Sequence, residues 1–158
     1  MPEIEIRLME TKDFEETAKM IIEFNNEILG SLGFYYNLPH FCEELKEYVG
    51  TTFIGVKEGK IIGVIGGKFF KIPFVENKAY VEAIWFVRPE YRTLGIKLMA
   101  KLESWCKEQG VKYILASRMN EYKAESFDKL YRRLGFVPYE VNYIKDLSKE
   151  VSDVKVSV

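Results

Sequence analysis

At 158 residues, with 47% hydrophobic and 30% charged side chains, the chain has the size and balance of one globular domain with a real core. A formal net charge of -1 disfavours a role built on nucleic-acid binding, which draws on a basic excess. The opening Met1-Pro2-Glu3-Ile4-Glu5 is too acidic and polar for a signal peptide, no apolar run nears the roughly 20 residues of a membrane helix, and Cys42 and Cys106 form neither a metal spacing nor a disulfide framework, so a reducing cytoplasm without membrane attachment is expected.

Ile4 to Leu8 alternates apolar and polar residues, which predicts a first strand. Thr11 is placed to cap a helix whose first turn carries Asp13 and Glu15, and Phe14, Ala18, Ile21, Ile22 and Ile28 fall on one face of it. Gly30 and Gly33 end that helix, Phe34 to Pro39 forms an aromatic loop, and a shorter helix turns Phe41, Leu45 and Tyr48 inward. Thr52–Val56 and Ile61–Ile65 read as two strands joined by the turn at 57–60. Gly66-Gly67 signals a bulge or a close backbone approach. After a loop at 71–77, Tyr80 to Val87 is nearly continuously apolar and reads as a central strand.

The helix that follows turns Leu98, Met99, Leu102, Trp105 and Cys106 inward and stops at Gly110. Tyr113 to Ala116 is a strand, a helix runs from about Glu121 to Leu134, and Phe136 to Ile144 is a last strand interrupted by Pro138. Residues 1–148 are expected to form one domain. The tail at 149–158 is apolar at Val154, Val156 and Val158 and reads either as an extra strand, which could pair two copies into a homodimer, or as a frayed end. Strands and helices in this order predict a mixed α/β, or α+β, sandwich.

The most informative stretch is Ile84 to Leu98. An apolar strand ends at Pro89, a short polar turn follows, and a helical pattern begins near Leu94. The first N–H groups of such a helix have no intrahelical partner and sit at the positive end of its dipole. Gly95 allows close approach to the backbone, so Arg92, Thr93, Leu94, Gly95, Ile96, Lys97 and Leu98 form a candidate phosphate cradle. Lys97 in a first turn opposes the dipole unless an anion is bound there.

Val87-Arg88-Pro89-Glu90-Tyr91-Arg92-Thr93-Leu94-Gly95-Ile96-Lys97 resembles the acetyl-CoA signature of the GNAT superfamily of N-acetyltransferases. Arg92 and Gly95 match it, whereas Lys97 stands where the family usually has Gly or Ala. Tyr131-Arg132-Arg133-Leu134-Gly135-Phe136 resembles a second landmark, a helix-ending tyrosine before Gly-Phe, and the order of elements is also the family's. The resemblance implies a mixed central sheet flanked by helices, with a splayed strand pair forming the cleft for acetyl-CoA as cosubstrate, and no metal. It implies that Tyr131 protonates the departing thiolate, that a backbone N–H near Phe86 or Val87 meets the thioester carbonyl, and that Asn120 contacts the CoA arm. A plain N-cap is the other reading of Asn120, and a buried packing residue the other reading of Tyr131.

Glu82 lies in the strand that leads to the loop. A desolvated carboxylate there can accept the proton of an amine acceptor, while an exposed one would be only a surface residue. His40 reads as a surface residue and Cys106 as core. The implied activity is transfer of an acetyl group from acetyl-CoA to an amine on a small molecule or protein. Two alternatives stay open: a CoA-binding module without turnover, to which Lys97 points, and a nucleic-acid-modifying relative.

Overall fold

The computed structural model describes residues 2–30, 33–120 and 122–148. The tail residues Val154, Val156 and Val158 lie outside them. The chain divides into two compact units, one up to Tyr122 and one from Lys123 onward.

In the first unit the elements are β1 (Glu5–Leu8), α1 (Phe14–Leu29), α2 (Leu38–Leu45), β2 (Thr52–Lys57), β3 (Lys60–Lys71), β4 (Lys78–Val87), α3 (Leu94–Glu108) and β5 (Tyr113–Leu115). The five strands form one sheet in the order β1-β2-β3-β4-β5. The first three pairings are antiparallel and β4 with β5 is parallel. Alternation along the strands divides the side chains between two faces. Ile54, Val64, Ile84 and Phe86 pack with Phe14, Ala18 and Ile21 of α1 and with Leu45 of α2. Phe53 stacks edge-on against Trp105 of α3 on the other face. Helices therefore cover both sides of a mixed sheet, as expected.

The α3 face depends on glycine. Gly55 and Gly63 pair across β2 and β3. A Cβ at Gly55 would lie 2.6 Å from Leu94, and one at Gly63 would lie 3.0 Å from Leu94 and 3.2 Å from Leu98. The first turn of α3 thus sits directly on sheet backbone. Gly67 makes a different approach: a Cβ there would meet the Val81 carbonyl at 1.8 Å. It lies at a register break, for Gly66 pairs with Ile84 and Gly67 with Glu82, which leaves Ala83 as the extra residue of a bulge in β4.

Several local expectations change. Thr11 does not cap α1. A single turn of 3-10 helix, Thr11–Asp13, comes first, and the Asp13 carboxylate accepts the Glu10 N–H at 2.8 Å and both Arg7 guanidinium nitrogens at 2.7 and 2.9 Å. That bidentate bond holds the Asp13 carboxyl below its ordinary range despite burial. α2 starts at Leu38 with Asn37 as its cap, accepting the His40 N–H at 3.1 Å.

In the second unit α4 spans Ala124–Arg133, shorter than expected, after Lys123 with φ +46°. Gly135, at φ +88°, donates to the Arg132 carbonyl at 3.1 Å, and Phe136 N–H donates to the Tyr131 carbonyl at 2.9 Å. This is a Schellman termination. Residues 136–144 were expected to be a strand, but they form no regular element and pair with no strand among the described residues. Val137, Tyr139, Val141 and Tyr143 keep the alternation yet are exposed. Pro138 also removes a ladder donor.

Because the Gly67 clash is with backbone, Gly67→Ala should lose about 3 kcal/mol or more in urea unfolding. Gly59→Ala, at an open turn with φ +75°, should lose only about 1 kcal/mol.

Candidate functional site

The parallel ladder between β4 and β5 covers only Ala79, Tyr80 and Val81 against Tyr113, Ile114 and Leu115. Beyond Val81 the ladder stops, with the bulge next in β4 and the end of β5 at Leu115, and this end of the strand pair is the fork. Glu82 stands at the fork with 8% of its surface exposed. Its Oε2 accepts the Ser117 N–H at 3.4 Å from the segment leaving β5. Burial pushes the Glu82 carboxyl up to about 7, and the bond from Ser117 pulls it the other way. A group at that value gives up and takes a proton near neutrality, which is what a general base requires.

The rest of β4 lines the fork. Arg88 N–H donates to the Ile62 carbonyl at 2.9 Å. Alternation along an antiparallel ladder then sends the Phe86 amide toward β3 and the Val87 amide toward the open side. Of the two candidate donors, Val87 is the one aimed into the fork. The Phe86 ring leaves the sheet on the α1 face and packs 4.5 Å from Phe24.

Past β4, Pro89–Tyr91 makes one turn of 3-10 helix, and α3 begins at Leu94. Thr93 occupies the N-cap position without a side-chain capping bond, and the first turn has no acidic residue. Gly95 N–H turns back to the Arg92 carbonyl at 3.1 Å. Leu94, Gly95 and Leu98 are buried, whereas Arg92, Thr93, Ile96 and Lys97 are exposed. The missing side chain of Gly95 faces Trp85 and Val87 of β4, where a Cβ would find ordinary clearances of 3.6 and 3.7 Å. Lys97 lies on the other flank and lines a surface cavity of about 410 Å³ with Pro2, Glu3, Ile4 and Ile6. Its bulk is therefore on the β1 side of the helix.

Asn120 is exposed and does not cap α4, since Lys123 holds that position. Its carbonyl accepts from Arg118 at 3.4 Å. In the second unit, the half-buried Tyr131 ring packs 5.2 Å from Phe136 and 6.3 Å from Phe127. His40 is an exposed residue near Glu44, with Nε2 3.4 Å from its carboxylate. Buried Cys106 has its thiol pushed up to about 11 by burial, as befits core. Among the described residues there is no His, Cys, Asp and Glu group suited to a metal ion, and no helix long and apolar enough to cross a membrane.

Three residues of this region carry no signal in the sequence. Ser117 acts through its backbone, and Phe24 and Tyr122 sit among many other aromatics. The Phe24 ring also meets Tyr122 at 5.8 Å, edge-on.

The model of the acetyltransferase (GNAT) family matches residues 35–136. The chain belongs to this family. No curated protein matches it in sequence. Among solved structures, the aminoglycoside N-acetyltransferase AAC(6')-Iy in complex with CoA is similar at 15% identity and a TM-score of 0.71, over 93% of this chain and 97% of that one. A GNAT family acetyltransferase of Staphylococcus aureus is similar at 22% identity and a TM-score of 0.64, over 93% and 100%. An aminoglycoside acetyltransferase from an uncultured soil metagenomic sample, solved with sisomicin, is similar at 14% and 0.67, over 91% and 96%. At these identities the likeness is one of fold.

Glu82 makes stability depend on pH. Its folded value exceeds that of an unfolded glutamate, so its contribution is full below about pH 4.3 and is lost as pH rises through about 7. Glu82→Gln removes this titration. In urea unfolding the variant should gain about 3 kcal/mol on the wild type between pH 4 and pH 8.

Proposed function

We propose that this protein is an acetyl-CoA-dependent N-acetyltransferase that moves an acetyl group to a primary amine by direct attack. The observation that carries the reading is the fork at Glu82, a buried carboxyl at the branch point of β4 and β5 with the uncapped start of α3 beyond it. Acetyl-CoA supplies the activated acyl group as a thioester. The residues present fit it: a helix start with no capping side chain and no acid in its first turn suits a pyrophosphate, and an inward amide suits a carbonyl oxygen.

In this reading the backbone of Arg92, Thr93, Leu94, Gly95 and Ile96 holds the phosphates, with the Arg92 guanidinium close by. Lys97 adds positive charge from the β1 flank, and Leu98 fixes the helix through the core. The Val87 amide donates to the thioester oxygen. Glu82 takes the proton of the incoming ammonium, directly or through a water. The amine nitrogen then bonds the carbonyl carbon as the carbon–sulfur bond breaks. Tyr131 gives its hydroxyl proton to the departing sulfur and is restored by the second proton that the nitrogen sheds as the amide forms, a role that rests on the family landmark, and Asn120 contacts the CoA arm on the same ground. The placement of Lys97 outside the β4 side favours this reading over a module that binds CoA without turnover. Two free cysteines accord with a cytoplasmic location.

The cradle is tested by Thr93→Asp. A carboxylate at an uncapped N-cap should leave thermal stability unchanged or raise it by about 0.5–2 kcal/mol. The same charge should repel the phosphates and raise the acetyl-CoA Kd at least about tenfold by calorimetry. A variant that binds acetyl-CoA as well as the wild type places the phosphates elsewhere.

The base is tested by the pH profile. Wild-type kcat/KM should rise through pH about 7 as Glu82 loses its proton. Glu82→Gln should lower it by about 10²–10⁴ and flatten that limb. A limb that persists in the variant assigns the base to another group.

A further inference from the structure

The Phe24 ring joins the two arms of the fork. It lies 4.5 Å from Phe86 on β4, tilted by 47°, and 5.8 Å from Tyr122 beyond β5, at 79°. All three residues are half-buried, so each keeps part of its surface in contact with solvent. The rings thus close the α1 side of the fork with an aromatic wall. We infer that the acceptor is a primary amine on an aromatic or alkyl body, of the arylalkylamine class, which packs against Phe24 between Phe86 and Tyr122. This deepens the acetyltransferase reading and rests on it.

Three observations converge on that class. Tilted and edge-on rings present apolar surface to a flat or chain-like body. A ring face also attracts a single ammonium within about 6 Å, which would hold the amine before its proton is lost. A polycation, in contrast, needs several open carboxylates. Among the described acidic side chains of α1 and α2, four are engaged and only Glu23 stands exposed without a hydrogen bond or ion pair: Glu15 accepts from Lys19 at 2.6 Å, Glu16 from the Ile61 N–H at 2.8 Å and Glu43 from Lys46 at 2.8 Å, and Glu44 lies 3.4 Å from His40. Phe24 is accordingly a specificity-determining residue, selecting for the body of the acceptor.

The test uses the full chain with saturating acetyl-CoA and two probes, phenethylamine and the polycationic aminosugar kanamycin. The kcat/KM for phenethylamine should exceed that for kanamycin by at least tenfold. Phe24→Leu keeps apolar bulk, and its fold is checked by circular dichroism. It should raise the phenethylamine KM about tenfold while kcat and the acetyl-CoA Kd stay within about twofold of wild type. Kanamycin used as well as phenethylamine, or an unchanged phenethylamine KM in folded Phe24→Leu, overturns the acceptor class and leaves the acetyltransferase reading intact. A wild type that binds no acetyl-CoA in calorimetry overturns both.

Discussion

The short parallel ladder of β4 and β5 is the constraint on which the rest depends. Three paired residues hold the strands together, and the next residue of β4 is already at the bulge. A longer ladder would fill the space with main-chain bonds and leave no gap. A shorter one would leave β5 unattached. The bulge needs Gly67 opposite, because any side chain there would strike the Val81 carbonyl. One glycine thus permits the bulge, the ladder with β5 ends just before it, and the Val87 amide lies past that end.

The same geometry accounts for the state of Glu82. Burial strips water from the Glu82 carboxylate, and the long bond from Ser117 compensates only in part. A stronger set of donors would stabilise the charge and make the group a poor base. A drier site with none would keep it protonated at neutral pH. The arrangement gives up folding stability above neutrality in exchange for a group that titrates there, the usual relation between a strained site and its chemistry.

Much of this was legible in the sequence because it rests on local physics. The apolar runs placed β1, β2 and β4 close to their extents and Tyr113 to Leu115 fell within the fifth strand, but β3, expected over Ile61–Ile65, runs on to Lys71 past the two glycines. Gly66-Gly67 marked the bulge, and the Pro89 to Leu94 turn marked the helix start. What failed was long-range or side-chain-specific. Thr11 looked like a cap, but Arg7 fixes Asp13 from β1 and makes that carboxylate the acceptor instead. Asn120 looked like a cap, but the chain passes through a left-handed Lys123 before α4 starts. Phe136 to Ile144 has a strand's alternation, yet alternation states which faces differ and not whether a partner edge exists. The pairing of Phe24 with Tyr122 joins residues 98 positions apart, which no local pattern encodes.

The two landmarks of the family differ in what the fold already asks of them. Gly135 and Phe136 complete a Schellman cap on α4, and the Tyr131 ring supplies the apolar contact that accompanies such a cap. α3 ends in the same way at Gly110, where Val111 N–H donates to Cys106 and Gly110 N–H to Lys107. A tyrosine three residues before the cap, followed by Gly-Phe, is therefore a sound helix terminus in its own right. The start of α3 is the reverse case. Helix physics favours a capping side chain and an acid there, and the sequence offers Thr93 without a capping bond, no acid and a lysine at position 97. Stability accounts for the Tyr131 ring and the Gly-Phe that follows it, whereas it does not account for a lysine in the first turn of α3. The stronger functional signal is thus the departure from good helix design, because an anion at that end would supply what the side chains withhold.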